Sequence, residues 1–293
     1  MPPDKVTGPL GPRRAIAQVI KKLREDRDKT LNEVGQDLLM SKSKLSRLEN
    51  AQGKPLLRDI RDLIRYYQIE GTPVAARLER WVKDAQRPGW WTAYDDEVTS
   101  RKLDAHLAYE MDAAVERVYT MPFVPVLLQT LDYARAVFRD MENRPEPEIR
   151  QLLAVRLHRQ EALRSREGLE PLRLIAVTHE SSLHQLVGSA DIMREQMDEL
   201  IERSTDPTVT LRVFPFSAKP VFSMTCMYAI FEYKNARESS VVHIEPHTGF
   251  FNVGEEDQVK EYRSHHEALM RASLAEEESR NLIRSIRDAW TQA

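Results

Sequence analysis

One cysteine, Cys226, stands in 293 residues, which excludes an internal disulfide and any multi-cysteine metal site. No apolar run is long enough to span a bilayer. The opening stretch MPPDKVTGPLGPRR carries proline, glycine and charge but no apolar core, so it is not expected to be a secretion signal. Residues 1–12 read as a flexible arm. Phosphate loops, dinucleotide fingerprints, serine elbows and the H-E-x-x-H zinc pattern are all missing. These gaps point to a cytoplasmic chain with no membrane partner, no cofactor, no bound metal and no catalytic role.

What is present is globular. Apolar residues make up 41% and charged residues 30%, and the length suits two domains. The net charge of -3 hides a division. Residues 1–90 hold 19 basic and 12 acidic residues, a balance of +7, and the remainder holds 24 and 34, a balance of -10. A basic head on an acidic body fits a polyanion bound at the head alone.

The head, 13–87, reads as five helices. Ala15, Ile16, Val19, Ile20 and Leu23 recur at helical spacing, so helix 1 spans about Arg13 to Asp26. Thr30 with Glu33 forms a capping box opening helix 2, whose stripe is Leu31, Val34 and Leu38. Gly35 suits a close approach between helices 2 and 3. Ser41 caps helix 3, which runs to about Asn50 with Leu45 and Leu48 inward. Helix 4 follows from Leu56, and helix 5 carries Val74, Leu78, Trp81 and Val82. Helix 3 thus offers short polar and cationic side chains opposite an apolar stripe, the face a major groove requires. Lys42, Ser43 and Arg47 are the base-edge candidates. Thr30, Ser41, Lys44, Ser46, Asn50 and Lys54 are the phosphate candidates. Glu49 would repel phosphate, so it is assigned a structural role.

Gly35, Met40-Ser41, the string Leu45 to Asn50 and Gly53-Lys54-Pro55 carry a resemblance. Residues 13–70 resemble the Xre/Cro, lambda-repressor-like helix-turn-helix domain. That resemblance implies binding to double-stranded DNA and a homodimer on an inverted repeat. The turn between helices 2 and 3 departs from it: Leu39 stands where glycine is usual. A leucine that keeps the left-handed conformation there costs roughly 1 kcal/mol.

The body, 88–293, reads as α+β with a small, mostly antiparallel sheet. Helices are expected over about 101–119, from Leu131, over 146–167, 190–204 and 255–274, and from about 275 onward. Strands are expected over 172–177, 209–214, 224–232, 240–244 and 249–253. Pro88-Gly89-Trp90-Trp91, Tyr94-Asp95-Asp96, Glu110, Phe123-Val124-Pro125, Leu127 to Thr130, Tyr133-Ala134-Arg135-Ala136 and Met193 to Gln196 carry a second resemblance. Together they are similar to actinobacterial Xre-type, antitoxin-like transcriptional regulators with a PGWW…LLQTxxYARA C-terminal domain. It implies a body for dimerisation and for a partner or effector, with a small protein from a neighbouring gene as the candidate partner. Trp90, Trp91, Tyr94, Glu110, Gln129 and Tyr133 are the candidate contacts, although an aromatic knot more often locks a linker. Val126 replaces the glycine of the V-P-G-L-L-Q-T string. His179-Glu180 with His184, and His243-x-Glu245-x-His247, have loose metal-ligand spacing but read as scattered histidines.

Overall fold

The computed structural model describes residues 10–51, 54–86, 89–94, 101–166, 169–234, 240–244 and 251–291. Two compact units result. One holds the described residues up to Thr92 together with Leu107–Asp112; the other holds Ala93–His106 and Ala113 onward.

The head is all helical: α1 (Leu10–Glu25), α2 (Leu31–Asp37), α3 (Lys42–Glu49), α4 (Leu57–Tyr66) and α5 (Pro73–Asp84). Local chemistry sets these bounds. The Thr30 hydroxyl accepts the Glu33 amide while the Glu33 carboxylate accepts the Thr30 amide. Ser41 caps α3 through the Lys44 amide, and Thr72 caps α5 ahead of Pro73. Ile16, Ile20, Val34, Leu45, Ile60, Leu63 and Leu78 bring all five helices to one buried core. Gly35 is where α2 meets the start of α3: a β-carbon there would lie 2.6 Å from the Met40 carbonyl oxygen.

Leu39 keeps the left-handed conformation, φ 53°, with its side chain 97% exposed. It contributes no packing to offset that strain. Leu39→Gly is expected to stabilise the head by about 0.5–1 kcal/mol, the steric relief outweighing the added freedom of the unfolded chain. Urea titration of the full chain checks this; a loss of stability would show that the leucine has a structural role.

In the body the expected helix over 101–119 is corrected. Helix α6 (Arg101–Asp112) ends early, and Val115–Thr120 is strand β1. Pairing on both edges overrides the helical spacing, because β1 is central. It runs parallel to β2 (Arg173–His179) and antiparallel to β4 (Tyr228–Glu232). With β3 (Val209–Phe214), β5 (Val241–Ile244) and β6 (Phe251–Val253) the sheet order is β3-β2-β1-β4-β5-β6. Among the described residues three of the five pairings are antiparallel, and β1, β2 and β3 form a parallel half.

The parallel crossovers carry helices, as such connections require. Helices α7 (Leu131–Asp140) and α8 (Glu146–Glu161) join β1 to β2, and α9 (Ser181–His184) and α10 (Ala190–Arg203) join β2 to β3. After the sheet come α11 (Glu256–Ala272) and α12 (Glu276–Trp290). Val259 and Leu269 of α11 cover Tyr119, Val177, Phe214, Tyr228, Ile230 and Val242 of the sheet. Among the described residues no helix is long and apolar enough to cross a membrane.

Candidate nucleic-acid interface

Helix α3 divides cleanly between inside and outside. Leu45 and Glu49 are buried, Leu48 is half-buried, and Ser41, Lys42, Ser43, Arg47 and Asn50 are exposed. At 100° per residue Ser43, Arg47 and Asn50 form one stripe opposite Leu45. Lys42 lies off that stripe, exposed in the first turn. The polar atoms of several candidates have internal partners. The Ser41 and Thr30 hydroxyls serve as caps, and the Thr30 hydroxyl also donates to Glu33 at 2.8 Å. Ser46 accepts a long bond, 3.5 Å, from the Asn50 amide.

Lys44 is half-buried, and its Nζ lies 2.7 Å from the buried Asp59 carboxylate at the start of α4. This ion pair ties the first turn of α3 to the first turn of α4 and partly neutralises Lys44. The same turn of α4 presents Arg58, whose side chain is 81% exposed. Sequence spacing offered little signal for Arg58, since only the Lys44–Asp59 contact relates its turn of α4 to α3. Lys54 is exposed just before α4, whereas Gly53 lies outside the described residues.

Glu49 has the structural role expected of it. Arg24 of α1 grips it in a fork, Nε to Oε1 and Nη2 to Oε2 each at 2.8 Å, and Nη1 donates to the Lys29 carbonyl at 2.9 Å. The last turn of α3 is thereby fixed to α1, and Lys29 enters this network through its backbone.

The candidates from Trp90 onward are buried or half-buried. Trp90 and Trp91 meet edge to face at 5.7 Å, and the Trp91 ring covers Gly89, where a β-carbon would fall 2.3 Å from it. Tyr94 is half-buried and Glu110 is buried. Asp95 and Asp96 lie outside the described residues.

Gln129 is buried and donates to the Val124 carbonyl at 2.9 Å, while its own side-chain oxygen accepts from Arg156. Tyr133 is fully buried, and burial pushes its phenol up to about 12. Val126 opens a 3-10 turn, Val126–Leu128, and is not among the positive-φ residues, so this turn needs no glycine.

Two of the histidines make the following internal contacts. The His179 Nδ1 accepts the Ser181 amide at 3.1 Å, and burial lowers its proton affinity. The Glu180 carboxylate accepts the Phe216 amide at 2.6 Å. His266 meets the Tyr228 hydroxyl at 3.1 Å, and burial pushes it down to about 3, so it is neutral near pH 7. Glu245 and His247 lie outside the described residues.

Residues 103–285 match the family described as Domain of unknown function (DUF5753). The chain belongs to that family. Residues 15–77 match a second family, described as Helix-turn-helix domain, which encloses α2, α3 and their turn. No curated protein and no solved structure matches the chain. This DUF5753 protein therefore joins a helix-turn-helix domain to an α+β region whose family name assigns no role.

Proposed function

We propose that this DUF5753 protein is a sequence-specific transcriptional regulator of the Xre/Cro type. Its helix α3 reads the major groove of double-stranded DNA. The observation that carries this reading is the outer face of α3, where Ser43, Arg47 and Asn50 are exposed, with Lys42 exposed in the first turn, on a helix held by α1 and α4. Arg47 is the residue for a guanine edge, since its fork matches O6 and N7. Lys42, Lys54 and Arg58 contact phosphate. Ser41, Ser46 and Thr30 line the backbone path, and Lys44 acts chiefly through Asp59.

Such a protein works in the cytoplasm, as a homodimer on an inverted repeat with half-sites about one helical turn apart. The acidic excess of residues 91–293 favours a further role for the body, holding a small basic protein such as one encoded by a neighbouring gene.

The test separates reading from steering. On an operator recovered by selection from genomic fragments, Arg47→Ala is expected to cost ~1–3 kcal/mol and to relax preference at one base position. Arg58→Ala is expected to weaken all sequences alike and to reduce the salt slope by about one. Gel-shift titration at several salt concentrations measures both. Unchanged operator affinity for Arg47→Ala would overturn the assignment of α3.

A further inference from the structure

Strands β1, β2 and β3 are parallel and end together, with Thr120 opposite Thr178 and His179 opposite Phe214. A groove of about 430 Å³ lies beyond them, between the chain that follows β1, helix α7 and the loop after α9. Phe123, from the chain leaving β1, Val137 and Met141 of the α7 region, and Leu186 from the chain leaving β2 supply its apolar wall. Asp140 and Gln185 are its polar members. The volume is within the range of small-molecule sites, about 300–1,000 Å³. Two of the wall residues are left in water: Met141 is 62% exposed and Leu186 53%.

The groove is held open by packing. Leu183 and Val187 anchor the loop after α9 in the interior, and Trp290 donates to the Leu183 carbonyl at 3.1 Å. Gly188, at φ +70°, brings that loop against α7. A β-carbon there would lie 2.7 Å from Ile192 and 3.0 Å from Ala136. The two walls are therefore fixed relative to each other before anything binds.

Charge selects the occupant. Among the described residues Asp140 is the one charged member of the lining. Its present partner is its own neighbour, Arg139, which takes one position on each carboxylate oxygen at 2.6 and 2.9 Å. That pair is exposed on both sides, so water screens it. The remaining lone pairs of the carboxylate stay open to a second donor.

We infer that this groove binds a small apolar molecule carrying one ammonium group, with the apolar part between Val137, Met141 and Leu186 and the ammonium on Asp140. The inference concerns the body alone and stands apart from the DNA-binding reading.

The probes are n-hexylammonium, n-hexanol and hexanoate, titrated into the full chain and followed by methyl NMR of Ala136, Val137 and Val187. Hexylammonium is expected to bind about threefold more tightly than hexanol, and hexanoate more weakly still. Asp140→Asn should erase that preference while leaving hexanol unchanged, and Arg139→Gln should strengthen the ammonium. Val137→Trp, which fills the groove, should abolish binding of all three.

Equal affinity for the three probes, no binding by hexylammonium, or binding that survives Val137→Trp would each overturn the inference. So would a concentration-dependent dimer in sedimentation that Met141→Asp and Leu186→Asp abolish, since the patch would then belong to a second copy.

Discussion

Arg24→Met is expected to destabilise the head by about 3–5 kcal/mol. The Glu49 side chain is only 4% exposed, and the Arg24 side chain 13%. Removing the guanidinium leaves a carboxylate out of water with no opposite charge, and the Lys29 carbonyl loses its donor. Burying such a pair in the first place gains little, because desolvation offsets most of the attraction. The double change Arg24→Met with Glu49→Leu should therefore recover most of the loss. Native-state hydrogen exchange of the α1 and α3 amides measures this and separates the head from the body. A single-variant loss under 1 kcal/mol would mean that the fork is not the element holding α3. Operator affinity should fall in Arg24→Met even where the protein remains folded, because the last turn of α3 is then free to shift.

Gln196→Leu is the corresponding change in the body, with an expected cost of about 3 kcal/mol. Gln196 is completely buried. Its oxygen accepts the Thr130 amide and its nitrogen donates to the Leu128 carbonyl, each at 2.8 Å. Leucine matches the volume but strands both backbone groups, at about 1–3 kcal/mol each. The segment at risk is the Leu127 to Thr130 string, since Gln160 holds the Gln129 carbonyl and Gln129 holds that of Val124. Faster exchange confined to the start of α7 with little change in the melting temperature would lower the estimate to a local role. The polar residues of this string thus work as a clamp on a non-repeating backbone, with Gln129 and Tyr133 both buried there.

Much of the head was legible in the sequence because its signals are local. A threonine three residues before a glutamate makes a capping box wherever a helix begins. The spacing of Leu31, Val34, Leu45 and Leu48 fixes which face turns inward. The strand β1 was not legible. Val115 to Thr120 contains a plausible helical stripe, and only partners 58 and 113 residues away, such as Thr178 for Thr120 and Ile230 for Arg117, make it extended. The parallel half of the sheet, and with it the groove beside Asp140, followed from that strand. Lys44 shows the same limit: nothing local announces that its charge meets Asp59.

By itself the sequence determined a basic helix-turn-helix head, the inward and outward faces of α3, the caps, the need for a small residue at Gly35 and an α+β body. Periodicity, capping and charge act over a few residues, so a single chain displays them. The tertiary structure alone decided that Leu39 keeps its left-handed strain, that Glu49 belongs to Arg24, that Lys44 meets Asp59 and that three strands end on one edge. Those outcomes depend on pairings between distant segments, whose energies exist only once the chain has closed on itself.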